Sequence, residues 1–314
     1  MMLLSVIIPN WNGLRFLPTC LASLFRQDYP TYEVIIVDNA STDNSRAWTA
    51  EHYPAVRWVQ LSQNTGFTGA CNAGFHVARG EIQILLNNDT ESAESWLSEI
   101  AAAFTRHPQA GIVASKMLLF DQRDIFHNAG DVFYEDGTPG NRGVWQKDVG
   151  QYGEEQVFSA CGGAAAYRAE LLQAIGWLDD DFFFSCEDVD LAWRAQLRGW
   201  EVWYAPQAAV FHQLSATGGG VTASFHDGRN QIYLLVKDLP LGVWRVHGWK
   251  ILHRQFSLAW EALLAWRGKE ARARLRGQWA GLMAMPRLLG KRRAVQATRS
   301  VSDVQILQKL TRRG

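Results

Sequence analysis

Glu187, Asp188 and Asp190 place three carboxylates within four residues, directly after the aromatic run Phe182-Phe183-Phe184. Like charges crowded beside apolar rings raise a carboxyl pKa toward the range of a general base. The same acids suit a helix N-terminus, whose dipole favours negative charge, so a structural role competes with a catalytic one. Asp190 stands four residues before Arg194, the spacing of an intrahelical ion pair. A second constellation, Asn87-Asn88-Asp89, closes the apolar run from Ile82 to Leu86. Short apolar runs that end in polar residues read as buried parallel strands, and open α/β sheets bind ligands beyond the carboxyl ends of such strands. Asp89 therefore suits a divalent ion held against a diphosphate, since Mg2+ takes one or two carboxylates plus phosphate oxygens. A turn or a helix cap is the plainer use of Asn-Asp there. His212 ends a further apolar run, either as a ligand or as a core or capping histidine. The glycine-rich segment Ser215 to Gly220 behind it suits a flap that closes over substrate.

The elements that must hold these residues alternate along the chain. Strands are expected over Leu3–Ile8, Glu33–Val37, Val56–Leu61 and the stretch before Asp89, with helices after each of the first three, the third over Ala70–Ala78. This alternation, at a spacing of about 25 residues, predicts an α/β fold with a mostly parallel sheet and flanking helices. Further on, a helix (Ala93–Arg106) and a strand (Ile112–Phe120) continue the pattern, and Asp121–Gln156 reads as hairpins and loops. In Ser159–Ala166 the small residues let backbone approach a ligand closely. A helix over Arg168–Ile175, one from Glu187 to Leu197, and short strands at Val202–Tyr204 and Ala208–Phe211 complete this part. Three strand ends, Pro9-Asn10, Asp38-Asn39 and Asn88-Asp89, would then line one sheet edge, where α/β proteins bind nucleotides. Neither a Gly-x-Gly-x-x-Gly turn nor a P-loop is present, so the nucleotide would be held otherwise. Asp38 could accept hydrogen bonds from base or ribose, or it could cap the next helix.

Four cysteines without a Cys-x-x-Cys pair argue for a reducing compartment and against a disulfide framework or a zinc site. No signal peptide and no membrane-spanning run are expected. The net charge of zero conceals a division: residues 239–314 carry 16 Lys and Arg against 3 acids, a net of +13, and residues 1–238 carry the opposite −13. Different partners are expected for the two parts.

Taken together, Val6-Ile7-Ile8-Pro9-Asn10-Trp11-Asn12, Val37-Asp38-Asn39-Ala40-Ser41-Thr42-Asp43, Asn64-Thr65-Gly66-Phe67 and Leu86-Asn87-Asn88-Asp89 resemble family 2 glycosyltransferases of the GT-A fold. Cys161-Gly162-Gly163-Ala164, Phe183-Phe184-x-x-Glu187-Asp188-Val189-Asp190-Leu191 and His212 extend the resemblance in order, over about residues 3–235. The rhamnosyltransferase-like branch of bacterial surface-polysaccharide assembly is especially similar. The resemblance implies an inverting transferase that moves a sugar from a nucleoside-diphosphate donor, dTDP-rhamnose or a UDP-sugar, to a saccharide or lipid-linked acceptor. It places Pro9, Asn10, Asn12, Asp38, Asn39, Asn64, Gly66, Asn72, Asn87 and Asn88 at the nucleotide-sugar, with Asp38 on the base. Cys161, Gly162, Gly163 and Trp177 fall to the acceptor, Asp89 and His212 to a Mg2+ or Mn2+ ion, and Asp188, beside Glu187, to the catalytic base. Domains of 1–238 (nucleotide-sugar half about 1–110, acceptor half about 111–238) and 239–314 follow. In two places the chain departs from the wider pattern. Asn87 replaces the first acid of the Asp-x-Asp position, and the Gln-x-x-Arg-Trp motif of processive synthases is absent, so one sugar per encounter is expected. A non-catalytic fold member that only binds a nucleotide-sugar or a partner is the rival reading. A sugar nucleotidyltransferase is disfavoured, because Pro-Asn-Trp-Asn-Gly is not the glycine-rich basic loop it would need.

The basic tail carries Trp249, Leu252, Phe256, Trp260, Leu263 and Trp266 at helical spacing from Arg245 to Arg267, and a second helix is expected over Glu270–Met285. Tryptophan and arginine on an amphipathic helix suit an anionic membrane surface. The same helices could instead pack on the acidic catalytic domain. Nucleic acid is a poor partner, since no groove-reading motif precedes the tail. The expected place is the cytoplasm, with the inner face of the cytoplasmic membrane within the tail's reach.

Overall fold

The computed structural model describes residues 1–213 and 219–313. Residues 215–218 of the expected flap lie outside the described residues. The chain opens with β1 (Leu4–Asn10), α1 (Leu17–Leu24), β2 (Tyr32–Asp38), α2 (Ser45–His52), β3 (Arg57–Gln60), α3 (Gly66–Val77) and β4 (Ile82–Leu86). Every residue of β4 is buried, Gln83 included, as a strand covered on both faces requires. Alternate residues feed two cores. Val6, Ile8, Ile36, Ile84 and Leu86 pack with α1 and with α4 (Trp96–Arg106), whereas Ile7, Ile35, Val37 and Leu85 pack beneath α3.

The chain then adds β5 (Thr90–Ser92), β6 (Ala110–Leu119), β7 (Phe126–Asn128), β8 (Asp131–Phe133), β9 (Pro139–Asn141), β10 (Glu155–Gln156) and β11 (Ala164–Arg168). It continues with α5 (Ala169–Ile175), α6 (Glu187–Leu197) and β12 (Glu201–His212). The sheet order is β10-β12-β6-β11-β4-β1-β2-β3. The strands β3, β2, β1, β4, β6 and β12 run one way, and β11 is inserted antiparallel between β4 and β6. The mostly parallel α/β sheet is thus as expected. The two strands predicted around residues 202–211 are one continuous β12, with a register shift between Ala205 and Ala209 that accommodates Pro206.

Four longer helices follow: α7 (Gly220–Lys237), α8 (Leu241–Leu264), α9 (Lys269–Met283) and α10 (Met285–Ala297), then the short α11 (Asp303–Leu307). Where α7 crosses α9, glycines allow backbone to meet backbone. A Cβ on Gly277 would lie 2.0 Å from the carbonyl of Phe225, and one on Gly228 would lie 2.5 Å from that of Arg274. A third apolar cluster, including Phe133, Trp193, Tyr233, Leu234, Ile251, Leu288 and Ile306, joins these helices to α6 and β8. Part of the tail's charge meets acids of the body, with Lys291 on Asp179 and Asp181, Arg287 on Asp181 and Lys250 on Glu135.

Packing decides which face of α8 is buried. The buried face of α8 is Val243, His247, Ile251, Leu258 and Ala262, and the aromatic stripe read from the sequence points outward. Trp249 is 79% exposed, Phe256 68% and Trp260 53%.

Candidate active site

A cleft of about 600 Å3 opens at the carboxyl ends of β1, β2 and β4. Its walls include Pro9, Asn10, Asn39, Asn64, Gly66, Asn87, Asn88 and Asp89 on the β1–β4 side. Opposite stand Asp131, Cys161, Gly162, Gly163, Glu187 and Asp188. Most of the site residues proposed from sequence therefore share one cavity, which brings residue 9 within reach of residue 188.

Asparagines wire the β1–β4 wall of the cleft. Asn88 donates to Oδ1 of Asn10 (2.8 Å), and Asn10 donates to Oδ1 of Asp38 (3.1 Å). Asn39 donates to Asn64 (3.0 Å) and to the Gly66 carbonyl (2.9 Å), and its Oδ1 accepts from the Thr65 N–H (2.8 Å). Gly66 has φ +76°, and a Cβ there would lie 2.5 Å from the carbonyl of Phe183, so the position requires glycine. Asp38 is buried, and its other oxygen accepts from the Ser41 N–H (2.9 Å) and Gln60 (2.7 Å). It braces the wall and is not among the cleft-lining residues. Asn12 holds the Ser41–Thr42 turn from the rim through the Thr42 N–H (2.8 Å).

Of the expected residues, Asn12, Asp38, Asn72, Trp177 and His212 are not among those that line the cleft. Asn72 spends its amide on Leu178, donating to the carbonyl (2.9 Å) and accepting from the N–H (3.1 Å). Trp177 stacks on His76 with ring centroids 4.3 Å apart. These contacts clip α3 to the segment after α5 and hold both side chains away from the cleft lining.

Glu187 and Asp188 open α6 from an unusual approach. Phe183, Ser185 and Cys186 all have positive φ, of 61°, 70° and 66°. Such strain in non-glycine residues persists only where surroundings over-determine it, and it clusters at functional sites. Here α7 supplies the restraint. Asn230, fully buried, donates to the carbonyls of Phe182, Phe184 and Ser185 (3.1, 2.8 and 2.6 Å). Arg229 donates to the carbonyls of Asp181 and Phe182, and Ser185 donates to Asp227 (2.6 Å). Asp190 turns away from the cleft into a buried network with Arg194 (2.9 Å) and Lys237, so of the three acids it has the structural role.

Asp188 is left facing the cleft. Burial raises its pKa, against the pull of the Gly162 N–H (2.8 Å) and the Val189 N–H (2.8 Å). Glu187 is pushed well above the ordinary carboxyl range, by burial and then by Asp188, and its Oε2 has no hydrogen-bond partner. Asp131, in the stretch that reads from sequence as hairpins and loops, stands on the same wall. Burial and then the charge of Asp188 raise it to about 7. The sequence cue beside it is a turn pattern, Asn128-Ala129-Gly130, which says nothing about a carboxylate.

The residues expected to hold a cation are brought together by β4, β5 and the end of β12, where His212 pairs with Thr90. Oδ1 of Asp89 is buried without a hydrogen-bond partner, 3.1 Å from Nε2 of His212. Adjacent ligands of an octahedral ion at about 2.1 Å stand about 3.0 Å apart, so the pair fits one divalent ion. Among the described residues no group of three or more His, Cys, Asp or Glu could hold a metal. The remaining ligands would be phosphate and water, in keeping with Asn87. His127, which no sequence motif marks, lies 3.2 Å from His212, Nδ1 to Nδ1. Burial and then His212 lower it to about 4, so it stays neutral and can orient the His212 ring.

The family model of Glycosyl transferase family 2 matches residues 5–176. The O-antigen biosynthesis protein RfbC of Myxococcus xanthus is 31% identical over 228 residues, 68% of this chain and 17% of that protein. N-acetylglucosaminyl-diphospho-decaprenol L-rhamnosyltransferase of Mycobacterium tuberculosis is 25% identical over 267 residues, 77% of this chain and 86% of its own length. The chain spans a quarter or less of the first curated relatives it matches. Among solved structures, S. aureus TarS superimposes with a TM-score of 0.56 at 19% identity, over 81% of this chain and 42% of that one. The mannosyltransferase PcManGT from Pyrobaculum calidifontis, in complex with GDP-Man and Mn2+, gives 0.52 at 20%, over 97% and 78%. Both likenesses support the GT-A fold.

Proposed function

Because the chain belongs to glycosyl transferase family 2, we propose that it transfers one sugar, with inversion, from a nucleoside-diphosphate donor to a saccharide on a lipid carrier. Asp188 carries this reading: it is a carboxylate with raised pKa, held by the Gly162 N–H and open to the same cleft as Asp89. The donor would lie along Pro9, Asn10, Asn39, Asn64 and Gly66, its diphosphate toward Asp89 and His212. A divalent ion held by Asp89 and His212 would offset the charge that develops on the leaving diphosphate. Asp188 takes the proton from the acceptor hydroxyl as that oxygen attacks the anomeric carbon from the face opposite the diphosphate. Glu187, kept protonated by burial, adds no second charge beside the base. Inversion by one displacement needs a single base.

The printed names of relatives guide the donor and acceptor classes: a rhamnosyltransferase acting on a diphospho-decaprenol-linked sugar, and an O-antigen biosynthesis protein. TarS has been solved with UDP and UDP-GlcNAc. We favour dTDP-rhamnose or a UDP-sugar, a cytoplasmic reaction, and contact of residues 239–314 with the membrane surface. No helix among the described residues is long and apolar enough to cross a bilayer. The experiment is a donor panel with Mn2+ or Mg2+, reading nucleoside-diphosphate release with and without a lipid-linked acceptor. Asp188→Asn should lower kcat by about 10^3 while donor binding persists. Full activity in that variant refutes the base assignment, and donor binding without turnover in the wild type would favour the non-catalytic reading.

A further inference from the structure

Away from the catalytic cleft, the turn between α8 and α9 encloses a crevice of about 420 Å3 lined by Val221, Trp266, Lys269, Arg272, Leu275 and Arg276. Three cations and three apolar side chains surround it, with no carboxylate among them. Among the described residues Lys269, Arg272 and Arg276 make no ion pair, unlike the tail cations Lys250, Arg287 and Lys291. Arg272 instead donates to the carbonyls of Trp266 and Arg267 (2.9 Å each), which fixes the turn that forms the crevice. On the two helices that form this turn, Phe256, Trp260, Leu263 and Leu264 of α8 and Trp279 and Met283 of α9 are exposed at helical spacing. A contiguous apolar face of this kind on a folded chain marks an interaction surface. The catalytic cleft lies on the other side of the same helix end: Gly219, Thr222 and Ala223 line the cleft, and Val221 lines the crevice.

We propose that this crevice binds the phosphate of an anionic membrane phospholipid, with the aromatic face of α8 seated in the surrounding interface. The inference deepens, and rests on, the membrane contact proposed above for residues 239–314. Charge complementarity selects the occupant. The unpaired cations call for an anion, and the tryptophans and leucines beside them call for a partner that is apolar next to its charge. A bilayer of anionic lipid offers both, and its surface would lie against the helix that walls the reaction cleft, where a lipid-linked acceptor must enter.

The test is vesicle flotation of the full chain, on phosphatidylcholine alone and on phosphatidylcholine mixed with phosphatidylglycerol. Preferential binding to the anionic vesicles, weakening with salt, is expected. Combining Lys269→Ala with Arg276→Ala should weaken that binding about 30-fold, from about one kcal/mol per cation near the surface. The control pair Arg46→Ala and Lys147→Ala, exposed on the catalytic body, should change it less than about 3-fold. Equal binding by the crevice pair and the wild type overturns the crevice while membrane contact stands. Wild-type protein that floats with neither vesicle overturns both. A rise in wild-type Tm with inorganic phosphate that the crevice pair lacks, with no difference between the two proteins on anionic vesicles, would assign the crevice to free phosphate and refute the lipid. A transfer assay on a water-soluble acceptor, unchanged in the crevice pair, separates this outcome from failure of the catalytic reading.

Discussion

Replacing Asp131 by asparagine alters one atom in the cleft wall and removes one titration. In the wild type its carboxyl is raised to about 7 from an ordinary 3.8, by burial and then by the charge of Asp188. Between those pH values the folded protein holds a proton that the unfolded chain has lost. Stability therefore falls as pH rises from about 4 to about 7 and levels above that. Three pH units at about 1.36 kcal/mol each give a ceiling of about 4 kcal/mol, of which roughly 3 kcal/mol falls between pH 5 and pH 8. The amide in the Asp131→Asn variant would keep an oxygen for the bond from Asn128 and would not titrate. Urea unfolding at pH 5 and pH 8 should therefore show the wild type losing about 2–3 kcal/mol more than the variant over that interval. The variant should be the more stable protein at pH 8. Parallel stability profiles for the two proteins would refute the argument, because they would mean that Asp131 is ionised in the fold at neutral pH.

Further outcomes follow from the same geometry. Asp89→Ala should abolish the rise in Tm that Mn2+ gives in the presence of a nucleoside diphosphate; a retained rise places the ion elsewhere. Gly66→Ala puts a methyl 2.5 Å from the Phe183 carbonyl at φ +76°, and should cost about 2–3 kcal/mol by thermal unfolding and weaken donor binding. A loss under about 0.5 kcal/mol would show that the two loops are not in register. Asn230→Ala removes the donor to three carbonyls of the strained loop. It should cost about 2–4 kcal/mol and lower kcat more than Gln278→Ala, whose side chain lies on α9. Equal effects of the two on kcat would deny the loop its special role.

Much of the site is readable in the chain because strand ends are. Apolar runs that stop at Asn10, Asp38 and Asp89 fix both the sheet and the edge where ligands gather, and α6 begins and ends at the residues its pattern marks, Glu187 and Leu197. What stays hidden depends on contacts between distant segments. The resemblance assigns Asn72 and Trp177 to ligands, whereas the fold sets their side chains against Leu178 and His76, neighbours visible only in three dimensions. Asp131 and His127 sit in short strands without periodicity, and their roles come from Asp188 and His212 across the fold. No sequence signal marks α7 over residues 220–237, although it restrains the loop before Asp188. In α8 the aromatic spacing gives the helix correctly but not which face is buried, because smaller residues such as Val243 and Ala262 fill the packed side.

The antiparallel insertion of β11 bears on the order in which the protein can assemble. The strands β1 to β4 are contiguous in sequence and pair with one another by short crossovers, so this half can form early. The outer edge of β4, Ile-Gln-Ile-Leu-Leu, is then left open until residues 164–168 return from nearly 80 positions downstream. During that interval it is an uncharged, apolar strand with unpaired backbone, the kind of edge that templates association between chains. Refolding yield should accordingly fall with protein concentration, and slow, cool expression should favour the monomer.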